Sequence, residues 1–134
     1  RGERRHLNLG HTVGHALEAA VGGGLTHGAC VAVGLIFATL LAEETGYADP
    51  GYAAQVRSLA LPLIPPGLAI PPWPVLESLI AHDKKMTADG AIRWVLPVGP
   101  GEVSVVAGLP ERALAAGWTR LPGALTPASS GAGA

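Results

Sequence analysis

Apolar residues recur at helical spacing along much of the chain. Leu9, Val13, Ala16, Leu17 and Ala20 share one face of a 3.6-residue period, and Gly22-Gly23-Gly24 supplies a stop. That pattern predicts a first helix from Asn8 to Gly24. A second helix is predicted from His27 to Thr45, built on the nearly continuous apolar run Cys30 to Ala42. Its small residues, Ala29, Ala32, Gly34 and Ala38, would let neighbouring helices approach closely. The run is shorter than the roughly 20 residues a membrane span needs, so it reads as a buried helix. Gly46 is a stop, and Asp49-Pro50 opens a short third helix through about Leu59.

Residues 61–74 hold six prolines and read as a stiff, extended connection. A helix from Val75 to His82 then leads into Asp83-Lys84-Lys85. The β-like runs Ile92 to Leu96 and Val103 to Val106 flank Pro97-Val98-Gly99-Pro100-Gly101 and predict a small hairpin. Pro110 to Trp118 is a last helix. From Pro122 onward the chain is rich in Ala, Gly, Ser and Pro and is expected to be a disordered tail. The reading is a mainly α fold, with one helical domain over 1–121 and a tail over 122–134.

Composition narrows the function classes. The 134 residues suit one compact domain, and 49% apolar content supplies a real core. A formal net charge of −1, with acids and bases scattered, gives no footprint for nucleic acid or an anionic membrane. The single Cys30 cannot form an internal disulfide, no signal peptide opens the sequence, and a cytoplasmic protein is expected. The chain opens without Met, and a dense polar motif begins within its first four residues. It therefore reads as a piece cut from a longer protein.

The chemistry-bearing residues cluster near the start. Four of the five histidines lie in the first 27 residues. His11 and His15 are four apart and share a helix face, while His27 opens the next helix. Imidazoles converging from two helices are common ligands for zinc-like ions. A bare i, i+4 histidine pair is more often a solvated surface feature. Here Gly10, Gly14 and Gly28 flank the histidines, and glycine inside a helix costs about 1 kcal/mol, which favours a site that something approaches. Arg4, Arg5 and Asn8 suit a phosphate or carboxylate, or else form an ordinary basic patch. Lys84 and Lys85 at a helix end are equally cations placed by the helix dipole. Cys30, among apolar neighbours, reads as a small core residue.

The stretch Arg4-x-x-x-Asn8-Leu9-Gly10-His11-Thr12-Val13-Gly14-His15-Ala16-Leu17-Glu18 resembles the signature of 3-dehydroquinate synthases. His27-Gly28 and Val31-Ala32-Val33-Gly34 continue it in order. Downstream, Asp83-Lys84-Lys85, Gly90, Ile92-Arg93-Trp94-Val95-Leu96-Pro97 and the run Val103 to Gly108 look like the same family. The resemblance covers residues 1–117. It implies a two-domain enzyme, a homodimer, in which an N-terminal Rossmann-like domain binds NAD. A helical C-terminal domain would supply most contacts to a divalent metal (zinc or cobalt) and to the substrate. The implied reaction converts a seven-carbon keto-acid sugar phosphate, DAHP, into 3-dehydroquinate and phosphate in the shikimate pathway.

Carried over position by position, the resemblance makes His11 and His27 metal ligands and His15 a substrate-side histidine. Arg4 and Asn8 match substrate-anion contacts, and Lys85, rather than Lys84, matches a distal substrate lysine. The family's third metal ligand is a glutamate of the N-terminal domain, and another family glutamate belongs just before Arg1. Ala29 stands where the family commonly has an acid. No Gly-rich dinucleotide fingerprint follows a strand here. The chain alone is therefore expected to be folded, inactive, without measurable NAD affinity and prone to self-association. The alternatives are another sugar-phosphate cyclase, a metal-dependent polyol dehydrogenase, and a non-catalytic helical interaction module.

Overall fold

The structure, a computed structural model, describes residues 7–8, 13–14, 16–18 and 25–125. Its centre is helix α1 (His27–Glu44). Thr26 caps its start, the side-chain oxygen accepting from the Ala29 amide at 3.1 Å. At its end the Thr45 hydroxyl donates to the Leu41 carbonyl at 2.7 Å, and Gly46 turns the chain at φ +80°. Eleven of its residues are buried, from Ala29 to Ala42, which is the mark of a helix enclosed by the rest of the fold. By length and composition this 18-residue helix is able to cross a membrane, longer than its apolar run suggests. Its burial among other elements accounts for that apolarity without one.

Around α1 lie α2 (Pro50–Ala60), α3 (Trp73–Lys85) and α4 (Glu111–Ala124), with one 3₁₀ turn at Leu61–Leu63. Asp49 caps α2 by accepting from the amides of Gly51 at 2.9 Å and Tyr52 at 3.2 Å, while Pro50 fills the first helical position. The described residues of the first predicted helix, Val13, Gly14 and Ala16 to Glu18, are helical, and Val13, Ala16 and Leu17 are fully buried.

Strands β2 (Arg93–Gly99) and β3 (Glu102–Ala107) form the expected hairpin, closed at Pro100-Gly101 with Gly101 at φ +71°. A third strand, β1 (Leu7–Asn8), pairs parallel with β2 in the register Leu7↔Arg93, Asn8↔Trp94. Asn8 therefore belongs to a strand rather than to the start of a helix. Its backbone groups are engaged with β2, a long-range pairing that local periodicity does not reveal.

Two further boundaries move. Helix α3 begins at Trp73 because Pro74 sits at its second position, where no amide partner is needed, and it continues through Lys85. Helix α4 runs past Trp118 to Ala124, so residues 122–124 are helical rather than tail. Leu114, Trp118 and Leu121 continue one buried face, and burying Leu121 offsets the donor that Pro122 lacks. Residues 126–134 lie outside the described residues.

The core is organised around Phe37. Its ring meets Trp94 edge-on at 5.8 Å and Trp118 edge-on at 5.4 Å, joining α1 to β2 and α4. Gly117 permits the close α1–α4 approach: a methyl group there would lie 3.2 Å from both Leu41 Cδ2 and Phe37 Cε1. Trp118 Nε1 donates to the buried Pro71 carbonyl at 2.7 Å, tying the proline-rich connection to the body. At the far end of α1, Glu43 accepts from Arg57 at 3.1 Å and from Arg120 at 2.8 Å, clamping α2 and α4 together.

Candidate active site

The fold draws together segments that are far apart in sequence. The first contact joins the histidine-bearing N-terminal segment to the start of α1. A methyl group on Gly14 would sit 3.9 Å from Cys30 Cβ, an ordinary van der Waals separation. Cys30 lies in the first turn of α1, the turn that His27 opens. Glu18 is close enough that its charge, after burial, pushes the Cys30 thiol upward. A raised thiol stays protonated, which matches a packing role and not a nucleophile's.

His27 itself is exposed, at the first position of α1. A side chain added at Gly28 would meet no atom of the described chain within 4 Å, and Val31, one turn on, is 38% exposed. Neither Gly14 nor Gly28 is required by crowding within the described residues. Of the other expected site residues, Arg4, His11 and His15 lie outside the described residues. Asn8 is described as backbone in β1.

The second contact links this region to the downstream block. Asn8 pairs with Trp94, and Leu7 with Arg93. Lys84 and Lys85 are exposed in the last turn of α3, eight or nine residues before Arg93. The Thr87 hydroxyl donates to the Lys84 carbonyl at 3.0 Å, and Gly90 turns the chain at φ +70°. Asp89 then fastens the loop. It accepts from the Ala91 amide at 3.2 Å and makes a bidentate pair with the Arg93 guanidinium. That guanidinium, with the Ala91 amide, holds the Asp89 carboxyl down at about 2. The Asp89–Arg93 clamp was not legible in the sequence. Nothing in a four-residue spacing outside a helix marks a bidentate pair.

The two lysines face different surroundings. Lys84 lines a cavity of about 290 Å³ between α3 and α4, and Lys85 does not. One residue is about 100° of helix, so the pair is split between the α4 side and another face.

Among the described residues, no three His, Cys, Asp or Glu side chains converge to hold a metal ion. The described part of the chain offers two exposed imidazoles, His27 at the start of α1 and His82 in α3, and neither completes a metal centre. Any fuller donor set must include residues beyond those described.

Similarity to known proteins points one way. The family profile described as 3-dehydroquinate synthase C-terminal matches residues 1–86. A protein of Symbiobacterium thermophilum named 3-dehydroquinate synthase is 44% identical over 110 residues, covering 78% of this chain and 30% of that protein. One from Laribacter hongkongensis with the same name is 40% identical over 119 residues, covering 85% of this chain and 32% of its own length. One from Solibacter usitatus, again so named, is 43% identical over 110 residues, covering 81% and 30%. The chain thus spans a little under a third of the length of the curated relatives it matches.

Proposed function

Because the chain belongs to the 3-dehydroquinate synthase C-terminal family, we propose that it supplies the helical, substrate-holding part of a 3-dehydroquinate synthase. That enzyme converts DAHP into 3-dehydroquinate and phosphate. The observation that carries the proposal is the gathering of separate sequence blocks. Gly14 lies against Cys30 in the His27 turn, and β1 lies against β2 just beyond Lys84 and Lys85. Two such contacts between separated blocks support a composite substrate site better than a general interaction module.

In this reading His11 and His27 hold a divalent ion, zinc or cobalt, and an NAD-binding domain adjoins the chain in a cytoplasmic homodimer. When bound, the ion would supply Lewis acidity toward the hydroxyl to be oxidised, and NAD would supply reversible hydride acceptance. This chain's own residues bind and orient. Arg4 and Asn8 receive substrate anions, the guanidinium offering a planar fork and the amide a neutral donor. His15 contacts the substrate beside them. Lys85 is a mobile point charge suited to a distal carboxylate or phosphate. Its separation from the α3–α4 cavity that Lys84 lines favours it over Lys84.

The test is steady-state kinetics on the chain assembled with an NAD-binding domain. Lys85→Ala should lower kcat/KM by one to several orders of magnitude, roughly 1.5–4 kcal/mol, with Lys84→Ala close to the parent. The reverse result would assign the role to Lys84. Unchanged kinetics in both would remove this block from the site. In the same assembly, His11→Ala should abolish tight zinc binding by titration calorimetry. Tight binding that survived would refute the ligand assignment.

A further inference from the structure

Strand β3 forms one edge of the sheet, whose order is β1-β2-β3. Its burial alternates, with Ser104 and Val106 turned inward and the apolar Val103, Val105 and Ala107 turned outward. Val103 is 63% exposed and Val105 53% exposed. Val95 of β2, the cross-strand partner of Val105, is half-buried, so the apolar patch extends across both strands of the hairpin.

The backbone of this edge is open as well. Pro97 has no N–H, so its pairing with Val103 falls where the β2 amide side faces away from β3. Alternation along the antiparallel ladder then turns the N–H and C=O groups of Val103, Val105 and Ala107 to the free side. Among the described residues no other element pairs with that side. The six residues Glu102–Ala107 include no Lys, Arg or Pro, the residues that ordinarily keep an edge from pairing.

Charge indicates what fits there. A groove of about 540 Å³ opens at the C-terminal end of β3, lined by Tyr47, Val106, Gly108, Leu109 and Arg112. Arg112 is exposed, and its guanidinium has no ion-pair or hydrogen-bond partner among the described residues. The same is true of the Glu102 carboxylate at the other end of the strand. We propose that β3 is a self-association edge, at which two copies of this chain pair β3 to β3, antiparallel, about a two-fold axis at Val105.

In that register Val105 meets Val105 of the second copy and Val103 meets Ala107. Glu102 falls opposite Gly108, at the mouth of the groove that Arg112 lines. The Glu102–Arg112 contact then forms once on each side of the axis, as a two-fold interface requires. The open backbone groups of each strand find partners in the other, and the valines merge into one face. One short strand buries well under the roughly 1,200–2,000 Å² of a stable interface, so the association is weak and reversible. It needs neither metal, NAD nor DAHP, so its failure and a failure of the catalytic reading are distinguishable.

Sedimentation velocity on the full chain at low salt, from about 10 µM to about 1 mM, reads the association. The parent should show a reversible monomer–dimer equilibrium. Val105→Lys sets like charges opposite each other at the axis and should leave only monomer. Glu102→Arg alone and Arg112→Glu alone should each raise the dimer dissociation constant about tenfold or more. An equimolar mixture of those two variants should return toward the parent constant, because each contact then joins opposite charges; misfolding could not produce that recovery. A parent that stays monomeric throughout, a dimer indifferent to Val105→Lys, or a mixture no tighter than its components would overturn the proposal. So would loss of the parent dimer to a one-to-one complex with a separately expressed NAD-binding domain that Val105→Lys also blocks, which would give the edge to that domain.

Discussion

Trp118→Phe tests how the proline-rich connection is held. Trp118 is 2% exposed, and its indole N–H donates to the Pro71 carbonyl at 2.7 Å within the buried interior. Phenylalanine keeps an aromatic ring against Phe37, whose edge-on contact at 5.4 Å is the other interaction at this position. What is lost is the donor, which leaves a buried carbonyl unsatisfied at a cost of about 1–3 kcal/mol. The smaller ring adds about 1 kcal/mol for the space it leaves unfilled. The sum is about 2–4 kcal/mol, which for a chain of this size lowers Tm by the order of 10 °C. Urea denaturation followed by tryptophan fluorescence, with Tm from calorimetry, measures both quantities. Proteolysis within residues 61–72 should accelerate in parallel, because the connection loses its anchor. A loss below about 0.5 kcal/mol with unchanged proteolysis would refute the anchoring role, since typical surface substitutions lie in that range.

Two other perturbations probe the packing and the loop. Gly117→Val should destabilise by about 1–3 kcal/mol, because its first carbon already meets Leu41 and Phe37 at 3.2 Å; neutral denaturation behaviour would contradict the tight α1–α4 crossing. Asp89 is held at about 2 against an ordinary 3.8, so its contribution is present above the ordinary value and is lost as pH falls through the folded one. Tm measured between about pH 5 and pH 2 should fall less steeply in Asp89→Asn than in the parent, and identical slopes would show that Arg93 does not sense the carboxylate.

Local pattern carried most of the fold. Thr26 and Asp49 cap helices where a short polar side chain precedes an apolar or proline-led run, and Gly46 ends α1 at positive φ. The hairpin was readable because two alternating runs flank Pro100-Gly101. What escaped was long-range. The pairing of Leu7 and Asn8 with β2 depends on partners 86 positions away in the register Leu7↔Arg93 and Asn8↔Trp94, and two residues hold no period to detect. The end of α4 escaped because Pro122 and Gly123 are strong breakers, whereas burial of Leu121 decides the outcome.

The site was legible mainly as motif. His11, His15 and Arg4 are singled out by spacing and residue type and given specific roles only by the resemblance, and they lie outside the described residues. The structure adds the neighbours: Gly14 against Cys30, Asn8 beside Trp94, and Lys84 turned toward the α4 cavity.

The most direct measurement of the central claim is phosphate release from DAHP in a coupled assay with NAD and zinc. The chain is assayed alone and after addition of a separately expressed NAD-binding domain from a 3-dehydroquinate synthase. The account predicts no release from the chain alone, release from the combination, and loss of that release with Lys85→Ala. Robust turnover by the chain alone would contradict the assignment of this chain to only part of the site. So would the absence of turnover from a combination shown by sedimentation to associate.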